Sequence, residues 1–269
     1  NVENLIKVET MLGSNHAPCD IQTLRLYPNT QYIIHNYFPA QDPNFVLNIA
    51  SQNSVIREQS IEFIKNTIKL CQSLGIKFYT IHPGFLGEAS ISKIRRVRNF
   101  DFQFGKNITS ESRLKIIKRT TKIIKDLFEY AKDRSVQLLV ENEGSKTSRE
   151  FTLFDTIGEL DLLKKEVGDG LKFNFNLAHA LLAGFNLMNE KIFKHFFNNS
   201  VFFEVSEISG GFDSHLPITQ SGGPAASILT KFRNYFAQKN IILEYRNIPI
   251  SEVKRSHIFV DRLLQKDFT

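Results

Sequence analysis

The sequence predicts an α/β protein whose parallel strands close into a (β/α)8 TIM barrel, with residues 1–269 forming a single domain. Strand and helix patterns alternate along the chain, and successive strand ends are mostly about 30 residues or more apart, enough for one crossover helix. No linker interrupts the alternation. Seven strands are recognisable, so we expect the first β/α unit to lie before Asn1. A doubly wound open sheet is the alternative, although no glycine-rich phosphate loop follows an early strand.

Apolar runs and turn residues place the elements of the first half of the chain. Strands are predicted at 6–12, 32–36, 77–81 and 138–141, and helices at 20–26, from the cap Ser54 to the stop Gly75, and at 114–131. The last of these helices has an apolar stripe of residues three and four apart, namely Leu114, Ile117, Thr121, Ile124, Phe128 and Ala131. A long basic and aromatic loop is expected at 85–109.

The second half continues the same alternation. Strands are predicted at 171–176, 201–205 and 241–244, and helices at 157–167, 189–197, 224–238 and 251–264. A polar loop containing Gly210 and Gly211 is expected after the strand at 201–205. His195 and His257 lie on helix patterns, where we expect them to face solvent.

Composition and charge limit the classes of partner. A net charge of +6 leaves anionic partners such as phosphates or nucleic acid open, although lysines on solvated helix faces explain most of the excess. Cys19 and Cys71 have neither metal-site nor disulfide-framework spacing, which favours a reducing, cytoplasmic location. No apolar run is long enough to span a bilayer, so no membrane partner is expected.

Polar side chains capable of binding a metal stand at the predicted ends of successive strands. They are His35, His82, Glu141, Asn176, Glu204 and Glu244. One such histidine is more often structural, and Glu244 could simply pair with Arg246. Six in succession favour a shared site, because strand ends of a barrel converge on one face and converging carboxylates repel unless a cation lies among them. Oxygen ligands favour Mg²⁺ or Mn²⁺, and added imidazoles favour Zn²⁺, Mn²⁺ or Fe²⁺.

The order of the short motifs resembles the xylose isomerase-like TIM barrels. The motifs are His35-Asn36-Tyr37-Phe38, Asn48-Ile49-Ala50-Ser51, His82-Pro83-Gly84, Glu141-Asn142, Ala178-His179-Ala180, Asp213-Ser214-His215 and Leu243-Glu244. The resemblance covers about residues 30–250. That superfamily contains sugar isomerases and epimerases, and also apurinic endonucleases of the endonuclease IV type. Homo-oligomers are common among similar barrels, so one is compatible with this sequence.

The isomerase branch implies one divalent metal on four strand-end ligands, which fall on Glu141, Asn176, Glu204 and Glu244. Here Asn replaces the usual Asp and Glu replaces the usual His, which leaves three negative charges and favours Mn²⁺ or Mg²⁺. Glu141 and Glu244 would transfer protons through an enediolate of a sugar or sugar phosphate. His179 would orient that substrate.

In this branch His35 and His82 would bind substrate hydroxyls or a second ion. We expect Arg95, Arg96 and Arg98, with the phenylalanines that follow them, to form a lid over a small anionic substrate or an oligomer contact. The alternative role for this loop is to hold a nucleic-acid backbone. A sugar is therefore favoured over nucleic acid as the substrate.

The endonuclease branch implies a cluster of three zinc ions on nine ligands. Seven positions match, namely His35, His82, Glu141, His179, Asp213, His215 and Glu244. The two positions that differ, Asn176 and Glu204, belong to one zinc. From the sequence the isomerase or epimerase is the leading hypothesis and the endonuclease is the second. A degenerate barrel that binds a sugar without turnover is the third, and Asn176 and Glu204 motivate it.

Overall fold

The structure is a computed structural model, and it describes residues 5–8, 31–38, 46–87, 89–91, 102–104, 110–144, 150–245 and 248–265. Contacts between residues divide the chain into two compact units. Of the described residues, those within 1–94, 101–141 and 157–171 form the first unit, and those within 142–156 and 172–269 form the second. The predicted helix at 20–26 and residues 9–12 of the first predicted strand lie outside the described residues.

Within the described residues, the first unit combines parallel strands with three helices. In chain order it contains β1 (Leu5–Val8), β2 (Gln31–His35), α1 (Ser54–Leu74), β3 (Phe78–Ile81), β4 (Ala89–Ile91), β5 (Phe102–Phe104), α2 (Ser110–Lys132), β6 (Gln137–Glu141) and α3 (Ile157–Val167). Strands β1, β2, β3 and β6 pair in that order, each parallel to the next. The predicted loop at 85–109 instead contains β4 and β5, which pair as antiparallel strands.

The strands of the first unit are apolar because both of their faces are covered. Leu138, Leu139 and Val140 are fully buried, as are Ile33 and Ile34, which is the pattern of a parallel sheet with helices outside. A polar residue at the end of such an apolar run is also buried, and it therefore needs a polar partner.

Helix α1 begins one residue earlier than the sequence indicates. Asn53, rather than Ser54, is the cap, and its side chain accepts a hydrogen bond from the backbone N–H of Val55. Gly75 ends the helix in a left-handed conformation, as predicted. Helix α2 buries most of the predicted stripe, since Ile117, Thr121, Ile124 and Ala131 are buried. The exception is Leu114, which is 50% exposed, and Ile116 and Leu127 are buried in addition.

The second unit also combines parallel strands with helices. It contains β7 (Lys172–Asn176), α4 (Leu177–Leu182), α5 (Glu190–Asn199), β8 (Ser200–Val205), β9 (Glu207–Ser209), β10 (Phe212–Leu216), α6 (Pro224–Lys231), α7 (Arg233–Phe236), β11 (Asn240–Leu243) and α8 (Ile250–Leu264). Strand β8 lies between β7 and β11 and is parallel to both. The prediction of a loop after β8 is wrong, because β9 and β10 form an antiparallel pair there.

Packing divides the helix predicted at 224–238. Phe232 leaves the helical conformation between α6 and α7, and its ring stacks on Phe193 at 3.9 Å between centroids. Phe193, Phe203 and Phe236 are fully buried around that contact. In the part of the chain that the structure describes, no helix is both long and apolar enough to cross a membrane.

Candidate functional site

The first unit brings together two histidines and a glutamate that were predicted from the sequence as site residues. His35 is the last residue of β2, Glu141 is the last residue of β6, and His82 directly follows β3. The Nε2 atom of His35 lies 2.7 Å from Oε2 of Glu141, and Nε2 of His82 lies 3.8 Å from the same oxygen. The ligand atoms of all three lie within 4.8 Å of one another. We call these three residues the first-unit triad.

Strand register explains why the triad assembles. His35 is level with Thr80 of β3, and Ile81 of β3 is level with Val140 of β6, so the three strands end at nearly the same height. The imidazole rings of His35 and His82 meet edge to face, with centroids 5.1 Å apart. Parallel pairing therefore fixes the positions of the three side chains.

The donor set of the triad fits a divalent metal ion. Glu141 is 1% exposed, and burying its carboxylate without a cation or a strong hydrogen bond would be costly. Two imidazole nitrogens and one carboxylate oxygen are the ligands that zinc takes in catalytic sites, where three protein groups leave one position open. Imidazole donors also suit other transition metals, whereas Mg²⁺ prefers oxygen alone.

The second unit places a carboxylate between two other histidines. Oδ2 of Asp213 lies 3.3 Å from Nε2 of His179 and 2.8 Å from Nε2 of His215. Nδ1 of His215 lies 3.3 Å from Oε2 of Glu244. We call His179, Asp213 and His215 the second-unit cluster.

The hydrogen bond at the far side of the His179 ring decides its tautomer. Nδ1 of His179 lies 2.9 Å from the carbonyl oxygen of Asn142, and a carbonyl can only accept, so Nδ1 carries a proton. The Nε2 atom then faces the Asp213 carboxylate, and either a second proton or a metal ion must separate the nitrogen lone pair from that charge. This is the arrangement of a metal-binding histidine, whose other ring nitrogen is bound to a carbonyl or carboxylate.

The ionisation of the second-unit cluster is strongly shifted. Burial alone would raise the pKa of Asp213, but the charges of His179 and His215 outweigh it and hold that pKa well below its usual value. Burial alone would lower the pKa of His215, but the carboxylates of Glu244 and Asp213 raise it to about 9. The cluster thus attracts positive charge, which either a proton or a metal ion can supply.

Amide groups contact two further carboxylates of the second unit that were predicted as site residues, Glu204 and Glu244. The Nδ2 group of Asn176 donates to Glu244 at 2.8 Å and to Glu204 at 3.4 Å. Its Oδ1 atom accepts from the backbone N–H of His179 at 3.1 Å and so caps α4. Asn174 donates to the other oxygen of the fully buried Glu204 at 2.7 Å. The side chain of Asn176 therefore points a donor, not an acceptor, at both carboxylates.

Two asparagines of this region were not predicted as site residues. Asn174 alternates with Asn176 on β7, and that spacing of two could have shown that both lie on one face of the strand. Asn142 exchanges two hydrogen bonds with the backbone of Asn176, at 2.7 and 3.0 Å. The backbone of Gly144 lies very close to that of His179, since a Cβ atom added at Gly144 would lie 1.8 Å from the carbonyl oxygen of His179.

Several residues named in the sequence analysis do not belong to the site as the structure describes it. Arg95, Arg96 and Arg98, and also Arg246 as the suggested partner of Glu244, lie outside the described residues. The side chain of His257 is 48% exposed, as expected, whereas His195 is partly buried.

Parallel strands that alternate with helices, with histidines and carboxylates at or next to several strand ends, are features of the α/β barrel class of protein. Residues 24–261 match the model of the family described as "Xylose isomerase-like TIM barrel", and the chain belongs to that family. The predicted fold class and family resemblance are therefore confirmed. The family match does not distinguish the isomerases and epimerases from the endonucleases.

Solved structures with the same fold include members of both branches. A D-tagatose 3-epimerase-like protein is similar with a TM-score of 0.66 and 17% identity, over 97% of this chain and 87% of that one. Endonuclease IV from Thermus thermophilus has a TM-score of 0.63 and 14% identity, over 97% and 89%. At such low identities these similarities show the fold alone.

A curated relative is similar in sequence over part of its length. "Probable endonuclease 4" of Thermosipho africanus is 25% identical over 156 residues, which is 57% of this chain and 46% of that protein. The chain thus matches less than half of that relative.

Proposed function

We propose that this chain is a zinc-dependent hydrolase of phosphodiesters, of the type that endonuclease IV represents. The observation that carries the proposal is the first-unit triad, in which two imidazoles and a buried carboxylate converge within metal-binding distance of one another. The second-unit cluster supports it independently, because His179 presents Nε2 to a carboxylate that needs a cation. Two histidine-containing sites are more than a single-metal isomerase requires.

In this proposal each residue has a defined task. His35, His82 and Glu141 would hold one ion, and His179, Asp213 and His215 would hold another. When bound, zinc supplies Lewis acidity that makes water a nucleophile near neutral pH and stabilises charge on phosphate oxygens. Asn142 keeps the His179 ring in the tautomer that leaves Nε2 for a cation. Glu141 contributes the negative charge that makes the triad selective for cations.

The orientation of Asn176 argues against the four-ligand isomerase centre predicted from the sequence. A metal bound by Asn176 needs its Oδ1 atom, but that atom already caps α4, and the Nδ2 group faces the carboxylates of Glu204 and Glu244. Amide donors therefore satisfy carboxylates that a metal ion would otherwise hold. We accordingly place the hydrolase ahead of the isomerase, in reverse of the order suggested by the sequence alone.

A sugar isomerase or epimerase is the second candidate, and the pair Glu204 and Glu244 favours it. One amide donates to both carboxylates and holds them in place, and proton transfer between a carboxylate and a sugar carbon is the chemistry that such enzymes need. In this candidate Glu141 and Glu244 transfer the proton, His179 orients the sugar or sugar phosphate, and Mn²⁺ or Mg²⁺ is the metal. A cytoplasmic location and a homo-oligomer stay predictions in either case.

The test combines metal analysis with two substrates. Samples of the purified full chain are loaded with zinc or with Mn²⁺ and dialysed, and each is assayed on a duplex oligonucleotide containing one abasic site and on a panel of ketoses with and without a phosphate. We expect about two zinc ions per chain and cleavage beside the abasic site. Interconversion of ketoses with one Mn²⁺ per chain, and an intact oligonucleotide, would establish the second candidate instead. The variant His82→Asn, which removes one proposed zinc ligand, should cleave about 10–100-fold more slowly.

A further inference from the structure

We propose that two buried asparagines, Asn36 and Asn48, are positioning residues that hold His82 at the first-unit triad. The inference rests on the proposed function, because it assigns these residues to the metal centre named there. Neither asparagine belongs to the triad itself. Both contact the short segment that carries His82 and the turn after it.

His82 needs such support more than the other two members of the triad. His35 and Glu141 end strands, where the ladders of backbone hydrogen bonds fix their backbones. His82 follows β3, and the next residue, Pro83, has no backbone N–H to donate. Gly84 then adopts a φ of +91°. Contacts from outside the strand must therefore set where the imidazole lies.

Asn36 ties the segment of His82 to the end of β2. Its backbone N–H donates to the carbonyl oxygen of Thr80 at 2.8 Å, and its carbonyl accepts from the hydroxyl of Tyr79 at 2.9 Å. Its Oδ1 atom lies 3.5 Å from the backbone nitrogen of His82. The residue has a φ of +45°, a conformation that asparagine tolerates better than most residues with a side chain. Asn36, which directly follows His35, thus links the two histidines.

Asn48 holds the turn from the opposite end. Its Oδ1 atom accepts from the backbone N–H of Phe85 at 2.9 Å and from that of Ala50 at 3.1 Å. Its Nδ2 group donates to the carbonyl oxygen of Gly87 at 3.1 Å. A Cβ atom added at Gly84 would lie 2.6 Å from Oδ1 of Asn48, so the turn can approach this closely only with glycine there.

The loop that carries Asn48 is itself anchored, which makes it a firm support. The backbone N–H of Asn48 donates to the hydroxyl of Ser60 on α1 at 2.9 Å. The guanidinium group of Arg119 on α2 donates to the carbonyl oxygens of Ala50 and Ser51 at 2.7 and 3.1 Å. The position of His82 is therefore fixed relative to two helices and the neighbouring strand. Residues that orient metal ligands in this way commonly change metal affinity by about 10–100-fold when they are replaced.

The test measures zinc affinity and thermal stability separately, in the full chain. Asn36→Gly permits the same φ and keeps both backbone hydrogen bonds, so it removes only the side-chain contact with His82. Asn48→Asp keeps Oδ1 as an acceptor but places an oxygen against the carbonyl of Gly87. We expect each variant to bind zinc at the triad about tenfold more weakly, measured by competition with a chromophoric chelator. Asn36→Asp, which retains the acceptor, should restore the affinity of Asn36→Gly to within about threefold of wild type.

Asn189→Ala is the stability control. It removes the cap of α5 in the second unit, where Asn189 accepts hydrogen bonds from Lys191 and Ile192, so it should lower the melting temperature without changing zinc affinity. If the Asn36 and Asn48 variants also lose only stability, the two asparagines are merely structural and the inference is wrong. If wild-type protein binds no zinc, the proposed function fails as well, and the two failures are thereby distinguished.

Discussion

The side-chain amide of Asn176 lies between two carboxylates of the second unit, with its Nδ2 group 2.8 Å from Oε2 of Glu244. The Oδ1 atom of the same side chain is turned to the backbone N–H of His179, so the orientation of the amide is fixed at both ends. An aspartate at this position would present oxygen to both carboxylates. The amide is thus a neutral substitute for a cation.

Asn176→Asp should replace the neutral amide with a carboxylate and so make the stability of the protein depend on a bound metal ion. Without metal, the new carboxylate would face Glu204 and Glu244, and repulsion should lower the melting temperature. With Mn²⁺ or Zn²⁺ added, the variant should gain more stability than wild type does, because binding to the folded state alone stabilises it. Thermal unfolding with and without a chelator measures both effects.

Asn189→Asp is the control for that variant, because it makes the same chemical change at a helix cap, where aspartate is also favourable. It should leave the response to metal unchanged. A metal-free Asn176→Asp protein as stable as wild type would contradict the orientation of the amide described above.

Gly144→Ala should disturb the second-unit cluster. The added Cβ atom would lie 1.8 Å from the carbonyl oxygen of His179, so α4 or the backbone at 144 must move. We expect a loss of about 1–3 kcal/mol in the free energy of unfolding. Gly158→Ala is the matched control, since nothing lies within 4 Å of its Cβ position on α3, and there alanine should stabilise by about 0.5–1 kcal/mol. Urea unfolding of both variants tests the pair, and equal stabilities would count against the described contact.

The metal-free protein should lose stability as the pH rises above neutrality. The pKa of His215 is about 9 in the folded protein against an ordinary value of 6.5, so folding favours its protonated form. Its contribution is fully present below pH 6.5 and disappears as the pH rises to 9, with an upper value of about 3 kcal/mol. Unfolding free energies measured in chelator from about pH 6 to 9.5 should show this decline. His215→Asn should remove the part of the slope due to this histidine, and an unchanged slope would assign it to other groups.

The sequence predicted those features that depend on local pattern. Leu138–Val140 formed a recognisable buried strand, and Glu141 at its end required a partner, which His35 supplies at 2.7 Å. Hydrogen bonding between specific side chains was not predictable in the same way. The spacing of Asn174 and Asn176 put both on one face of β7, but nothing in the sequence decided which atom of Asn176 faces the carboxylates. That choice depends on the backbone N–H of His179, which is available for capping only because α4 begins there.

Short strands and tertiary packing explain the other differences. Strands β9 and β10 surround two glycines, so their sequence is typical of a loop, and only their pairing makes them strands. The break between α6 and α7 falls at Phe232, whose ring stacks on Phe193 of a distant helix. Neither contact has a signal in the local pattern of residues.

The central claim is that the first-unit triad holds a divalent metal ion, and zinc analysis of Glu141→Gln tests it most directly. Glutamine has nearly the shape of glutamate, but it removes the charge that lies 2.7 Å from Nε2 of His35. After zinc loading and dialysis, we predict that wild type retains about two zinc ions per chain, and that the variant retains about one fewer with an unchanged circular dichroism spectrum. A variant that holds as much zinc as wild type, or a wild-type protein that holds none, would contradict the claim.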